Sequence, residues 1–156
     1  MRKFISLIVR SAAICGVGLT VAVGQAAAMV LITSQEAALP NAIDANLELG
    51  VRGVTRGPKV LVVSPALGAG TVRSPLNFLL KFESYGGAAV DANSVRVIYL
   101  KRPAINLTQR ITDLVKASGI EVHAAEAPPG THYIRVEVRD DAGRVGSTTF
   151  SFTVAD

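Results

Sequence analysis

The sequence predicts an all-β sandwich with one short helical segment, and three observations support this class. From Lys59 onward, the sequence has the period of two that is typical of half-buried strands: residues 59–64 are rich in β-forming residues, and side chains alternate in four later stretches. Glycine, proline and aspartate separate these stretches, as turns require. One stretch instead carries its apolar residues at helical spacing. We therefore predict a single β domain over residues 59–156.

The first 28 residues have the layout of a secretory signal peptide. Arg2 and Lys3 precede an uncharged apolar run, and Ala26-Ala27-Ala28 offers a small-residue cleavage site. The apolar run is shorter than the roughly 20 residues that span a bilayer. We predict cleavage after Ala28 and a periplasmic or secreted chain. The alternative is an uncleaved anchor whose apolar region extends to Ile32.

Removal of the signal peptide changes the cysteine content and the net charge of the mature chain. Cys15 is the only cysteine, so the mature chain has no disulfide, thiolate metal site or cysteine nucleophile. The bulky Ile14 before it argues against lipoprotein processing. The formal charge of +4 falls to +1, because Arg2, Lys3 and Arg10 leave with the signal. This near-neutral balance excludes nucleic acid as an expected partner.

Residues 29–58 are predicted to be a poorly ordered N-terminal extension or linker. Ser34 can start a short helix that Pro40 disturbs, and glycines punctuate the remainder. The apolar residues of this stretch are too sparse for a domain but can dock on one. They are Val30, Leu31, Ile32, Ile43, Leu47 and Leu49.

The strands follow from the alternation of side chains. In the clearest of them, Ile134, Val136 and Val138 alternate with charged residues. His132 has the inward parity of these valines and is expected to be a neutral, hydrogen-bonded packing residue. The five predicted strands are 59–64, 76–83, 95–100, 134–139 and 148–154.

Two connections have distinctive residues. Asp140-Asp141-Ala142-Gly143 predicts a tight hairpin between the last two strands, in which Gly143 takes a positive φ. Leu107, Ile111, Leu114 and Val115 lie at helical spacing. We predict a short helix there that Asn106 or Thr108 caps and Gly119 ends.

The order of these motifs resembles bacterial immunoglobulin-like domains. The opening stretch Val63-Ser64-Pro65-Ala66 and the closing stretch from Pro129-Gly130-Thr131 to Phe150-Ser151-Phe152 carry the resemblance. It implies two packed antiparallel sheets with Greek-key connections and no reaction. In a tyrosine corner the Tyr lies in register with the core valines, whereas Tyr133 has the opposite parity.

The same stretches are similar to periplasmic copper-binding sandwiches of the copper-resistance kind. That family holds copper through a histidine at the mature N-terminus and an Asp-Gly-His on the final hairpin. Here Met29 takes the first position and the hairpin reads Ala142-Gly143-Arg144. Copper binding therefore does not follow from the resemblance.

Few residues suggest a metal site. Glu121, His123 and Glu126 cluster in sequence and can form a metal corner with Asp113 or Asp141. Against this, the stretch is predicted to be a loop into a strand, where solvated polar residues are ordinary. Asp140 and Asp141 can begin a calcium site with Glu126 or Asp91, but calcium needs six to eight oxygens. We predict no metal and no other cofactor. The candidate ligands, if a metal is bound, are Asp140, Asp141, Glu126 and His123.

The sequence predicts a binding or structural module rather than an enzyme. It has two histidines and no G-x-S-x-G elbow, so activated nucleophiles are scarce. We expect an exported, non-catalytic module that recognises an envelope protein or polysaccharide through loops or edge strands. The alternative is a periplasmic sandwich that binds copper or calcium.

Overall fold

The computed structural model describes residues 28–42, 56–68 and 70–156. Cys15 and all of the predicted signal peptide except Ala28 lie outside the described residues. So do Ile43, Leu47 and Leu49 of the predicted extension. No helix in the described part of the chain is long and apolar enough to cross a membrane.

The described residues contain two short α-helices, one 3₁₀ turn and ten strands. The helices are α1 (Ser34–Ala37) and α2 (Thr108–Ile111), and a 3₁₀ turn (Thr112–Leu114) continues α2. The strands are β1 (Met29–Val30), β2 (Lys59–Ser64), β3 (Thr71–Val72), β4 (Leu76–Glu83), β5 (Val90–Tyr99), β6 (Ile105–Asn106), β7 (Val115–Lys116), β8 (Gly119–Glu126), β9 (Gly130–Asp140) and β10 (Val145–Val154).

The strands form two sheets of five. The first has the order β1-β8-β4-β2, with β7 also paired to β8, and the second has the order β3-β10-β9-β5-β6. The expectation of wholly antiparallel sheets is wrong in two places, because β1 runs parallel to β8 and β3 parallel to β10. Neither short strand is joined to its neighbour by a hairpin, so the connection does not impose an antiparallel direction.

One hydrophobic core lies between the two sheets, in a β-sandwich-like arrangement. Phe78 of β4 and Phe150 of β10 meet across it, with ring centroids 6.1 Å apart. Alternate residues of the long strands point into this core, as the period-two pattern predicts. The inward residues of β9 are His132, Ile134, Val136 and Val138, all buried.

The predicted strands are confirmed, and several extend beyond their predicted bounds. β2 matches its prediction from Lys59 to Ser64, whereas β5 begins at Val90 and β9 at Gly130. The predicted hairpin joins β9 to β10, and Gly143 has a φ of 75°. The left-handed conformation at this turn explains why a glycine stands there.

Two predictions between α2 and β9 are wrong. The stretch 121–126, expected to lead as a loop into a strand, belongs to the strand β8, which pairs with β4. Gly119 does not end the helix, because α2 and its 3₁₀ turn stop at Leu114. Gly119 belongs to β8, where a Cβ atom would stand 2.0 Å from the Leu80 carbonyl oxygen. This close approach of two backbones explains the glycine.

The expectation of a poorly ordered extension is wrong for residues 29–42. Leu31 and Ile32 are 0% and 2% exposed and belong to the core. α1 has the predicted start at Ser34, and Thr33 and Glu36 form a capping box around it. Burial of each of these two side chains stabilises the packed segment by about 2 kcal/mol.

Candidate functional site

A polar surface groove beside the open edge of β5 is the candidate functional site. Its volume is about 390 Å³, within the range of ligand-binding clefts. Polar side chains dominate its lining, which distinguishes it from the mostly apolar pockets that bind drug-sized molecules. We call it the polar groove, and its lining comprises Asp91, Asn93, Ser94, Val95, Arg96, Asn106, Thr108, Gln109, Thr112 and Arg139.

An irregularity in the pairing of β5 with β9 forms one wall of the polar groove. The register shifts between Asp91 and Arg96. Ser94 fills the gap in the ladder, because its hydroxyl accepts a hydrogen bond from the Arg139 amide at 2.8 Å and donates to the Asp91 carbonyl at 2.7 Å. The Asp91 carboxylate accepts the Asn93 amide hydrogen at 2.9 Å. Side-chain bonds therefore hold this stretch away from regular pairing.

The start of α2 forms the opposite wall. The Asn106 side chain accepts the Thr108 amide hydrogen at 2.9 Å, and the Thr108 hydroxyl accepts the Val97 amide hydrogen at 2.8 Å. The predicted cap is wrong, because the N-cap of α2 is Leu107, which makes no side-chain cap hydrogen bond. The Asn106 and Thr108 side chains instead tie the first residue of the helix to the preceding turn and to β5. Gln109 and Thr112 lie on the exposed side of this turn, at the mouth of the groove.

Two arginines give the polar groove its charge. Arg96 and Arg139 are exposed, and neither has a carboxylate within 4.0 Å among the described residues, where five other ion pairs occur. Asp91 is the only acidic residue of the lining, and its carboxylate already accepts the Asn93 amide. A guanidinium without a partner can bind a carboxylate, phosphate or sulfate in bidentate fashion.

The outward face of β9 and β10, which begins at Arg139, is rich in hydroxyls and also carries Glu137, the register partner of Arg96. The Thr131 and Thr153 hydroxyls are 3.0 Å apart. Arg135 is exposed on the same face and donates to the Thr149 hydroxyl at 3.4 Å. The hydroxyl-bearing residues of this face are Thr131, Tyr133, Ser147, Thr149, Ser151 and Thr153.

The predicted calcium candidates Asp140 and Asp141 serve the hairpin differently. The Asp140 carboxylate is buried and accepts hydrogen bonds from the Arg144 amide at 2.9 Å and from Arg144 Nε at 2.8 Å. Burial would raise the pKa of Asp140, but the Arg144 amide and guanidinium hold this pKa below its usual range. Asp141 is exposed, and its amide donates to the Ala89 carbonyl.

The other candidate ligands lie elsewhere. Glu126 ends β8 and leads into β9 after a three-residue connection, so it lies at the opposite end of β9 from Asp140. The length of β9 separates them by roughly 30 Å. His123 is exposed on the outer face of β8. In the described residues, no three His, Cys, Asp or Glu side chains gather where they can hold one ion.

His132 is the buried, hydrogen-bonded residue that its inward parity predicts. Its Nε2 lies 2.8 Å from the Pro128 carbonyl oxygen and its Nδ1 lies 2.8 Å from the Tyr99 hydroxyl. A carbonyl only accepts, so Nε2 carries the proton and Tyr99 donates to Nδ1. Burial lowers the pKa of His132 and, together with the negative charge of Glu36, raises that of Tyr99 to about 12. Both rings are therefore neutral and structural.

Sequence reasoning missed the polar groove as a site. The alternation of apolar and polar residues placed Arg96 and Arg139 on outward faces, but they are 43 positions apart in the chain. Only the pairing of β5 with β9 brings them to one groove. Two features of the sequence could have indicated the groove. They are the arginines at outward strand positions and the Asn106-Leu107-Thr108 stretch where the helix starts.

No protein-family model, no curated protein and no solved structure matches the chain.

Proposed function

We propose that this chain is an exported, non-catalytic binding module with an immunoglobulin-like sandwich, and that its polar groove binds an anionic polysaccharide of the cell envelope. The observation that carries the proposal is the pair of exposed arginines, Arg96 and Arg139, without carboxylate partners in the described residues, beside a set of amides and hydroxyls.

Export and the immunoglobulin-like topology rest on sequence features. The basic start, apolar run and Ala-rich site of residues 1–28 support export to the periplasm or beyond. Two sheets around one core, with a long final hairpin, are compatible with the topology that the motif order implies. A module of this kind carries its recognition on loops and outer sheet faces.

A charged polysaccharide suits the polar groove better than a protein surface does. Protein interfaces depend on buried aromatic and apolar anchors, and no aromatic side chain lines this groove. Arg96 and Arg139 can bind the acidic groups of a polymer, while Asn93, Asn106 and Gln109 can hydrogen-bond its hydroxyls. The hydroxyl-rich face of β9 and β10 extends this surface for a long ligand.

Several features support a non-catalytic role. Both nitrogens of His132 already bond Pro128 and Tyr99. His123 is exposed on β8, a strand of the sheet that does not form the polar groove. General acid–base catalysis requires a group that can reach the substrate with a suitable pKa, and neither histidine lies in the groove.

Binding to polygalacturonate, a carboxylated polymer, tests the proposal against neutral dextran. We expect binding to polygalacturonate alone and its weakening by salt, because exposed charges are screened within about 8 Å at 0.15 M. Arg96→Ala/Arg139→Ala should raise Kd at least about tenfold, since each lost charge-assisted hydrogen bond contributes about 1.5–3 kcal/mol.

The matched control is Lys81→Ala/Lys116→Ala, which removes the same charge from the other sheet. Both lysines are exposed and form only surface ion pairs. This control should leave Kd within about twofold. Equal losses in both double variants, or equal binding to dextran, would contradict a specific anion site in the polar groove.

A further inference from the structure

The N-terminal segment, residues 28–42, occupies a site of its own on the sandwich. Met29 and Val30 pair in parallel with Ala125 and Glu126 at the edge of β8. The Leu31 and Ile32 amides then donate to the Glu126 carbonyl at 3.0 and 3.1 Å. Their side chains are 0% and 2% exposed. The segment thus completes both the sheet edge and the core.

A partly buried ion pair holds the segment near its middle. Arg110 of α2 donates through Nη1 to Glu36 at 2.9 Å and to the Leu31 carbonyl at 2.7 Å, and its Nη2 pairs with the second Glu36 oxygen. The Arg110 guanidinium, hydrogen-bonded to Glu36, lowers the pKa of this carboxyl to about 2. Glu36 is the only charged side chain of residues 28–42, and it pairs with the opposite charge of Arg110.

Lys101 holds the other half of the segment. Its Nζ donates to the carbonyls of Ala37 and Leu39 at 2.8 Å each, and lies 5.2 Å from the Tyr99 ring centroid. Lys101 is 5% exposed. An ammonium at the end of α1 satisfies carbonyls that the helix leaves without partners. Arg110 and Lys101, with the β8 edge, form what we call the segment site.

The segment reaches the rest of its own chain through a long connection. The Ala42 amide donates a hydrogen bond to the Leu100 carbonyl. The Leu100 amide donates one to the carbonyl of Tyr133, at the start of β9. Gly57 instead lies against Val145, which pairs with Arg139 near the end of β9. Six residues of strand, about 20 Å, separate these positions. The fourteen residue steps from Ala42 to Arg56 can span about 46–50 Å.

We propose that the segment site is also an assembly site, which the N-terminal segment of a second copy of this chain fills. Every contact of the site is made by residues 29–42 themselves, so a segment from another copy makes the same contacts. Exchange of an identical element between copies is a low-cost route to oligomers. The length of the connection sets the balance between binding of the chain's own segment and binding of another copy's segment. It does so because this length fixes the effective concentration of the chain's own segment at the site.

Disulfide trapping between two single-cysteine variants tests exchange in the full-length chain, in a Cys15→Ser background. Val30 and Glu126 are exposed register partners, a separation that a disulfide can bridge. Val30→Cys and Glu126→Cys proteins, one isotope-labelled, are unfolded together, refolded and oxidised. We expect mixed dimers at least about tenfold above those from Val30→Cys with Val145→Cys, an exposed control position. Equal yields from the two pairs would overturn the proposal.

Shortening the connection provides a second measurement. Deletion of residues 45–54 leaves four steps between Ala42 and Arg56, which reach about 14 Å and cannot span about 20 Å. This variant should be a dimer or larger assembly by light scattering. Replacement of the same ten residues by Gly and Ser should leave a monomer at micromolar concentration. A shortened variant that is a folded monomer would overturn the proposal.

Discussion

At the scale of single residues, the imidazole of His132 joins three parts of the molecule. It lies on β9, bonds Tyr99 of β5 and bonds Pro128 in the connection from β8. Its ring also packs against Phe152 of β10, with centroids 5.3 Å apart. A polar group in this position is stable because both nitrogens have partners.

This environment predicts a pH dependence of stability. Burial lowers the pKa of His132, whereas the unfolded chain binds a proton near pH 6.5. Between the two values the unfolded state binds more protons, so the free energy of unfolding falls as the pH falls below about 6.5. His132→Phe should remove this slope between pH 5 and 7 in thermal melts. His123→Gln, at an exposed position, is the control, and a slope that persists in His132→Phe would assign the effect elsewhere.

Glu36 predicts a second, more acidic transition. Its pKa is lowered to about 2, mainly by the hydrogen bond from Arg110. Its stabilising contribution is therefore complete above about pH 4.5 and is lost as the pH falls towards 2. Glu36→Gln should cost about 2 kcal/mol in urea unfolding at pH 7 and much less at pH 2. Glu83→Gln, which loses only exposed ion pairs, should cost under about 0.5 kcal/mol at either pH.

At the scale of elements, close backbone contact joins the chain before β2 to the start of β10. A Cβ atom at Gly146 would stand 1.7 Å from the Pro58 carbonyl oxygen, and one at Gly57 would stand 2.4 Å from that of Val145. The Thr148 hydroxyl adds a hydrogen bond to the Val60 carbonyl at 3.1 Å. These contacts hold the two sheets together along one side.

Gly146→Ala should therefore separate β10 from the entry to β2. The added methyl cannot be placed without a backbone shift, and overpacking of this kind costs at least about 2 kcal/mol. Ser147→Ala, one position further on an exposed outward residue, should change the free energy of unfolding by under about 0.5 kcal/mol. Chemical denaturation compares the two variants, and equal stability would contradict the contact.

The long strands could be predicted from sequence because burial repeats along each of them. Phe150, Phe152 and Val154 face the core at every second position, and the pattern is visible locally. β8 was missed because its inward residues, Ile120, Val122 and Ala125, do not keep a strict alternation. A register shift against β4 lies between Val122 and Ala125, and Ala124 there has a φ of 55°.

The place of the N-terminal segment could not be predicted for a different reason. Its apolar residues have no period, and its polar contacts come from Lys101 and Arg110, which lie far along the chain. Only the tertiary arrangement tells that Leu31 fills the core. The sequence could show that such residues were able to dock, but not where.

At the scale of the whole molecule, topology determines which candidate site residues meet. The polar groove depends on the pairing of β5 with β9, which places Arg96 and Arg139 at one surface. The same topology separates Glu126 from Asp140 along the length of β9. The local sequence therefore identifies the candidate metal ligands but not the distances between them.

This separation predicts how the protein responds to metal ions. Calcium or copper should not raise the melting temperature. An ion stabilises the folded state only when it binds that state more tightly than the unfolded state, and the separated candidate ligands cannot hold one ion together. The Asp140 carboxylate already has the Arg144 guanidinium as its partner. Calorimetry with each ion and with chelator checks this, and an increase that Asp140→Asn or Glu126→Gln abolishes would support the metal-binding alternative.

The most direct test of the polysaccharide-binding account is photo-crosslinking in the native envelope from a reactive residue placed at Gln109, in the mouth of the polar groove. The control carries the same residue at Lys116, which is exposed on the other sheet. We predict adducts with an acidic polysaccharide from position 109 alone, and their loss in Arg96→Ala/Arg139→Ala. Protein adducts only, or the same polymer from both positions, would contradict the account.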